Sequence, residues 1–206
     1  MVKLIKKKNI TFLLSGGGSN LYQILKKNLT SKRFNVISII SNNLISKQIK
    51  ELIKSNELEI KIYEKVSNLK TKFLGDCDVV FSVGYLKKIN SEIIENYEII
   101  NLHPSLLPKY KGLNTHQRAL DAGDKEHGVT VHFVSEDLDG GANIIQAVIP
   151  VLDDDNVTLL QQRVQQQEHI IYPIAVKWFI EGRLSMLKGD AYFDNQPLPE
   201  SGLKLT

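Results

Sequence analysis

The sequence predicts an α/β fold, a single domain with a mostly parallel, twisted sheet and helices on both of its faces. Short runs rich in β-branched residues alternate with longer segments of helical periodicity, the pattern of a parallel sheet with crossover helices. Several runs, such as residues 79–83, are almost continuously apolar rather than apolar at every second position. Strands of that kind are covered on both faces. Antiparallel additions are expected in the C-terminal half, residues 101–206.

The N-terminal half, residues 1–100, is expected to carry the parallel strands. They are predicted at residues 10–14, 34–40, 58–63, 79–83 and 98–102, with helices at 21–27 and 44–54. Helical periodicity in the second helix predicts a stripe of apolar side chains facing the sheet. These are Leu44, Ile45, Ile49, Leu52 and Ile53.

The C-terminal half changes character. Strand-like runs at residues 129–134 and 144–151 flank the turn-forming stretch SEDLDGG, which predicts a hairpin-like or crossing pair. A long helix follows from Asn156, capped by Asn156 or by Asp155, and continues past a bend at Pro173. The tail after residue 182 is expected to form a small hairpin.

The composition excludes several classes of protein. Hydrophobic residues make up 42% of the chain and charged residues 24%, the balance of a soluble globular protein. The net charge of +3 is spread along the chain, and its densest run, residues 6–8, is too small for a nucleic-acid surface. The apolar run at 10–14 is too short for a signal peptide, and Cys77 is the only cysteine. We therefore expect a cytoplasmic protein that binds neither nucleic acid nor membrane.

A glycine-rich turn, residues 15–20, lies between the first predicted strand and the first predicted helix. Backbone N–H groups in such a turn can approach a phosphate closely, and the helix N-terminus adds partial positive charge. The dinucleotide fingerprint lacks its third glycine, and no Lys-Ser or Lys-Thr pair follows, so a phosphate monoester fits best. The alternative is a tight structural turn with Ser19 as the N-cap.

A second candidate site follows the fifth predicted strand, in the run NLHPSLLP. Ligands of open α/β sheets bind outside the carboxyl ends of the strands, and alternation places Asn101 and His103 on one face. An amide beside an imidazole can stabilise an oxyanion and move a proton, as acyl transfer to an amine requires. The alternative is a buried histidine bonded to backbone in a loop shaped by prolines.

Asp139, in the turn DLDGG, would join this site only if the fold brings it against His103. The remaining histidines lack Cys or carboxylate partners at metal-ligand spacing, so no metal is expected. They are His116, His127, His132 and His169. Cys77 stands between two aspartates that would raise its thiol pKa, which makes it a poor nucleophile.

Five stretches of the sequence resemble the phosphoribosylglycinamide formyltransferase family in order and spacing, over nearly the whole chain. They are SGGGSNL, NLHPSLLPKYKG, HGVTVHFVSEDLDGG, RVQQQEHIIYP and FIEGRL. The resemblance implies a Rossmann-like formyltransferase fold and transfer of the formyl group of 10-formyltetrahydrofolate to glycinamide ribonucleotide, in a monomer or a homodimer. It also implies that residues 1–100 bind the phosphate and residues 101–206 bind folate and catalyse.

The resemblance further implies roles for individual residues. Asn101, His103 and Asp139 match the catalytic trio. Substrate-binding positions correspond to Gly17, Gly18, Ser19, Asn20, Gln165 and Glu168. Folate-binding positions correspond to Leu86, Lys87, Lys88, Ile89, Val134 and, again, Asp139.

Two departures from the family pattern stand out. Asn114 occupies a position where family members commonly have His, and the connection at residues 63–78 is short and lacks the arginine expected beside the folate glutamate tail. Two other classes stay open. One is a formyltransferase for nucleotide-linked amino sugars, which would need a diphosphate site. The other is a non-catalytic binding module, which would be expected to have lost a member of the trio.

Overall fold

The computed structural model describes residues 7–205, so that Lys6, part of the basic run, lies outside the described residues. The chain forms two compact units, Met1–Ile99 and Ile100–Thr206. Each unit combines strands and helices, and the predicted α/β class is confirmed. Within the described residues, no helix is both long enough and apolar enough to span a lipid bilayer.

The first unit is a parallel α/β layer with the strands β1 (Asn9–Leu14), β2 (Asn35–Ser41), β3 (Lys61–Tyr63) and β4 (Val79–Ser82). Their order in the sheet is β4-β1-β2-β3. Its helices are α1 (Ser19–Ser31), α2 (Lys47–Ser55), α3 (Thr71–Leu74) and α4 (Ser91–Asn96). Every residue of β4 is buried, Ser82 included, as its almost continuously apolar run predicts.

The second unit is largely antiparallel. Its strands β5 (Ile99–His103), β6 (Glu126–Phe133) and β7 (Asn143–Pro150) pair antiparallel in that order, and β11 (Leu203–Leu205) adds parallel to β7. A separate small sheet contains β8 (Leu184–Leu187), β9 (Asp190–Phe193) and β10 (Gln196–Pro197). The predicted antiparallel pair and the terminal hairpin are therefore confirmed.

Two helices complete the second unit, α5 (Thr115–Asp121) and α6 (Val157–Ile180). The side-chain oxygen of Asn156 accepts a hydrogen bond from the Leu159 N–H, so Asn156 is the predicted cap of α6. Helix α6 packs against β6 and β7, and the buried Tyr172 hydroxyl donates to the Ile100 carbonyl at 3.1 Å. That bond ties the helix to β5, the strand that leads into the candidate site.

Several predicted boundaries were wrong. Helix α2 begins at Lys47 rather than at residue 44, because Ser46 has an extended backbone, and Leu44 is 59% exposed instead of facing the sheet. The third strand covers only Lys61–Tyr63. Short helices α3, α4 and α5, and strands β10 and β11, were not predicted, because each has too few residues for a periodic pattern to develop.

Candidate active site

The end of β5 and the neighbouring strand β6 bring an amide and two imidazoles together. Asn101 lies opposite His132 in the antiparallel register, and His103 lies opposite Thr130. The strand alternation places Asn101 and His103 on one face, as predicted. His103 is 6% exposed, so its ring has little contact with solvent.

Both ring nitrogens of His103 face oxygen atoms. Nε2 lies 2.9 Å from the carbonyl oxygen of Tyr110, and Nδ1 lies 3.4 Å from Oδ2 of Asp139. The same Oδ2 accepts a hydrogen bond from the Gly112 N–H at 2.8 Å. Because a carbonyl oxygen only accepts, Nε2 carries a proton in its contact with Tyr110, and a proton on Nδ1 would point towards the Asp139 carboxylate. The Asp139–His103 contact that sequence spacing left open is present.

His132 is a member of this cluster that the sequence analysis missed. Its Nδ1 lies 2.8 Å from the Phe133 carbonyl and therefore carries a proton, whereas Nε2 lies 3.2 Å from Nδ2 of Asn101. Burial lowers the pKa of His132 to about 4, so the ring is neutral near pH 7 and its Nε2 accepts from the amide. His132 thus fixes which end of the Asn101 amide faces it.

Asp139 reaches the cluster from the turn between β6 and β7. Its backbone is left-handed, with φ of 46°, a conformation that aspartate tolerates better than most residues. Gly141 then passes so close to β6 that a Cβ there would overlap the Phe133 carbonyl oxygen. Glycine at this position lets the turn fold against the strand and present the carboxylate to His103.

The glycine-rich turn belongs to the first unit. Helix α1 begins at Ser19, and the N-cap is Gly18, in the left-handed region with φ of 79° and without a side-chain cap. The alternative that Ser19 is the N-cap is therefore wrong. Gly17 and Ser19 are exposed, and Asn20 is 8% exposed. The open first-turn N–H groups of a helix attract anions.

Ser15 anchors this turn to two other loops of the first unit. Its hydroxyl accepts from the Leu86 N–H at 2.7 Å, its N–H donates to the Gly84 carbonyl at 3.0 Å, and its carbonyl accepts from Nδ2 of Asn43 at 2.7 Å. The segment that starts the predicted folate residues is thereby fixed to the end of β1.

The predicted folate residues of the first unit differ in exposure. Leu86, Lys87 and Lys88 are exposed in a loop, and Nζ of Lys87 donates to the Ser67 carbonyl at 3.2 Å. Ile89 is 8% exposed, so its side chain is part of the core and offers little surface to a ligand. A cavity of about 610 Å³ in this unit is lined by residues 62–68, 70, 72 and 73. Three lysines in this lining, Lys65, Lys70 and Lys72, supply positive charge where no arginine stands.

The remaining predicted residues lie in the second unit. Val134, after β6, is half-buried. Gln165 and Glu168 lie three residues apart on α6 and therefore share a face, with Gln165 exposed and Glu168 half-buried. Asn114 is the N-cap of α5 with φ of 58°, a backbone that suits asparagine better than histidine.

A histidine pair and the single cysteine lie outside the catalytic trio. His116 Nδ1 lies 3.0 Å from His127 Nε2, and the two rings are perpendicular. Within residues 7–205, no group of three or more His, Cys, Asp or Glu side chains is arranged to hold a metal ion. Burial, more than Asp78 and Asp76, raises the pKa of the Cys77 thiol. The predicted direction is confirmed, but its main cause is different.

Comparison with known proteins decides the family. A family model described as formyl transferase matches residues 8–176. The chain belongs to the formyl transferase family. The formyl transferase is 37% identical to the phosphoribosylglycinamide formyltransferase of Escherichia coli K12 over 206 aligned positions, covering 94% of this chain and 97% of that protein.

Two further relatives agree. The Haemophilus influenzae phosphoribosylglycinamide formyltransferase is 48% identical over 127 residues, 61% of this chain and 60% of that protein. A solved phosphoribosylglycinamide formyltransferase of Coxiella burnetii, in complex with CHES, superposes with a TM-score of 0.86 at 33% identity. It covers 98% of this chain and 100% of its own. The predicted family is confirmed.

Proposed function

We propose that this formyl transferase passes the formyl group of 10-formyltetrahydrofolate to the amine of glycinamide ribonucleotide, a step of purine synthesis. The observation that supports this most is the cluster of Asn101, His103 and Asp139, present intact in a chain that resembles phosphoribosylglycinamide formyltransferases over almost its whole length. A non-catalytic binding module would have no need of two imidazoles and a carboxylate arranged for proton transfer.

The reaction is a direct transfer. The acceptor amine attacks the formyl carbon, a C–N bond forms, and the carbonyl oxygen becomes negative in a tetrahedral intermediate. The bond from that carbon to N10 of the folate then breaks, and a proton moves from the attacking nitrogen to the leaving one. Neither a covalent enzyme intermediate nor a change of oxidation state is needed.

The trio divides this work. Nε2 of His103 is committed to the Tyr110 carbonyl, whereas the 3.4 Å contact of Nδ1 with Asp139 is longer than a normal hydrogen bond. Nδ1 is therefore the nitrogen that is able to offer an N–H to the developing oxyanion. Asn101, oriented by His132, supplies a second N–H donor. Asp139 orients His103, would stabilise an imidazolium formed during the transfer, and can receive the amine proton, directly or through a water.

Residues 1–100 bind the acceptor phosphate in this proposal. The backbone N–H groups of Gly17, Gly18, Ser19 and Asn20 open α1, a helix of 13 residues whose dipole favours an anion. A single phosphate suits a turn that has one left-handed glycine and no P-loop lysine. Gln165 and Glu168, on a shared face of α6, are assigned to the ribose hydroxyls or the amine.

The folate is assigned to Leu86, Lys87, Lys88 and Val134, with Asp139 at the reacting end. Ile89 is buried and supports this loop from the core rather than contacting the ligand. Lys65, Lys70 and Lys72, around the cavity of the first unit, are suited to the carboxylates of a glutamate tail. The protein acts in the cytoplasm, as a monomer or a homodimer.

A competition assay tests the acceptor. Purified protein receives 10-formyltetrahydrofolate together with glycinamide ribonucleotide, an amino-sugar nucleotide and an aminoacylated transfer RNA, and each product is quantified. Formylation of glycinamide ribonucleotide is expected to dominate, and the isosteric Asp139→Asn protein serves as the control for background transfer. Preferential formylation of either larger acceptor would replace the assigned substrate.

A further inference from the structure

Tyr110, in the loop after β5, has an unusual backbone for an aromatic residue. Its φ is 55°, in the left-handed region that glycine adopts freely and bulky residues avoid. Such a conformation is strained and persists where the surroundings over-determine it, often at a functional site. A glycine would adopt this backbone without strain, whereas Tyr110 also brings a side chain that contacts Arg118 and His127.

That side chain is held from three sides. Its hydroxyl donates to Oδ2 of Asp124 at 2.8 Å, and the Arg118 guanidinium carbon lies 5.1 Å from the ring centroid. The His127 ring approaches edge-on, with centroids 6.4 Å apart. The hydrogen bond to Asp124 raises the pKa of the Tyr110 hydroxyl, which keeps it a donor throughout the neutral range.

The backbone of the same short segment holds both members of the His103–Asp139 pair. The Tyr110 carbonyl lies 2.9 Å from Nε2 of His103, and two residues later the Gly112 N–H donates to Oδ2 of Asp139 at 2.8 Å. Arg118, which stacks on the Tyr110 ring, also donates to the intervening Lys111 carbonyl at 2.7 Å. A change in the position of Tyr110 would therefore move the acceptor that fixes the His103 ring.

We propose that Tyr110, anchored by Asp124 and Arg118, is a positioning residue whose backbone carbonyl locks the His103 ring so that Nδ1 faces Asp139 and the reacting formyl group. This role rests on the proposed function. Tyr110 touches neither substrate in this account, and it acts only through His103.

The test compares two substitutions that remove a left-handed side chain in the second unit. Tyr110→Gly relieves backbone strain but removes the anchor, whereas Lys188→Gly relieves the same kind of strain, at φ of 54°, in the exposed turn between β8 and β9. Displacements of about 1 Å in a reacting group can lower a rate by about 100-fold. Tyr110→Gly is expected to lower kcat by about 10- to 100-fold with KM for both substrates within about threefold, while Lys188→Gly leaves both unchanged.

A conservative variant and a spectroscopic signal separate positioning from mere stability. Tyr110→Phe keeps the ring over Arg118 but loses the hydrogen bond to Asp124, so its kcat is expected to lie between the values of Tyr110→Gly and the wild type. In ¹⁵N-labelled protein the His103 Nε2–H, assigned with His103→Gln, should give a slowly exchanging proton signal that Tyr110→Gly loses and Lys188→Gly retains. Because this signal needs no turnover, it decides the positioning role even if the wild-type protein fails to formylate glycinamide ribonucleotide.

An unchanged His103 signal in Tyr110→Gly would overturn the proposal. So would a kcat within about threefold of wild type, because displacement of a reacting group by about 1 Å should cost far more. If Tyr110→Phe were as impaired as Tyr110→Gly, the anchoring role of the ring would likewise be contradicted.

Discussion

The two units of this formyl transferase build their candidate sites from different materials. In the first unit the candidate site consists of backbone: the N–H groups at the start of α1, directly after the left-handed Gly18. In the second unit the site is side chains: an amide, two imidazoles and a carboxylate on neighbouring strands and one turn. All five histidines of the chain lie after residue 100.

The difference indicates where each kind of substitution should act. A backbone site depends on conformation, so many side-chain changes in the first unit leave it functional and a change at a left-handed glycine does not. A side-chain site depends on donor and acceptor roles, so removal of a single group changes the chemistry.

The largest effect is expected in the second unit. Asn101→Ala, His103→Ala and Asp139→Asn should each lower kcat by about 100- to 1,000-fold, because each removes a group that handles charge in the transition state. Steady-state kinetics and thermal melting, measured on the same preparations, check this. A well-folded His103→Ala protein with near-normal turnover would falsify the assigned chemistry.

The second unit should also be the acid-sensitive one. Burial lowers the pKa of His127 and of His132 from 6.5 to about 4, so below pH 6.5 the unfolded chain binds protons that the folded chain does not. The free energy of unfolding should therefore fall as the pH drops from about 6.5 to about 4, by a few kcal/mol in total.

Urea unfolding at pH 7 and at pH 4.5 measures this loss of stability. His127→Gln should reduce the difference between the two pH values, since Gln has no proton to gain. Hydrogen exchange should locate the acid-induced opening in residues 100–206. Opening confined to the first unit would contradict the assignment of the acid sensitivity to the second unit.

A smaller effect is expected at His132. His132→Leu leaves the Asn101 amide free to rotate and should lower kcat by about tenfold, as expected for the loss of one oriented hydrogen bond of about 1.4 kcal/mol. His132→Gln offers a new acceptor and should restore part of that loss. Equal kcat values in the two variants would show that His132 does not orient the Asn101 amide.

The smallest effect is expected in the turn before α1. Gly17→Ala meets nothing within 4 Å and should change stability little, whereas Gly18→Ala is forced into φ of 79° and crowds the side-chain ends of Ile49 and Leu14. The left-handed conformation alone costs about 1–2 kcal/mol. Inorganic phosphate binding and melting temperature should both separate the two variants, and a Gly18→Ala protein as stable as Gly17→Ala would show that the turn tolerates side chains.

The sequence predicted the strands and helices whose patterns run for several residues. Residues 79–83 and the helix after Asn156 are examples, because burial and capping leave a local signature there. Leu44 was wrongly assigned to α2 because the helix begins only after Ser46, whose extended backbone leaves no trace in the hydrophobic periodicity.

The candidate site was predicted in the same uneven way. Asn101 and His103 stand two residues apart on one strand, so alternation alone joins them. The contact of His132 with Asn101, 31 residues earlier in the chain, could be predicted only from the register between β5 and β6. Tyr110 contributes a backbone carbonyl, which its residue type does not reveal. The antiparallel pairing of 98–102 with 129–134 would have been the signal for His132.

The most direct test of the contrast is to measure kcat and KM of Gly18→Ala and His103→Ala side by side with glycinamide ribonucleotide as the acceptor. We expect Gly18→Ala to raise KM for this acceptor with kcat within about threefold of wild type, because the phosphate contact is weakened equally in the bound substrate and in the transition state. We expect the reverse for His103→Ala, a large fall in kcat with KM little changed. A loss of kcat in Gly18→Ala at saturating acceptor, together with a raised KM in His103→Ala, would contradict the division between a backbone site that binds and a side-chain site that reacts.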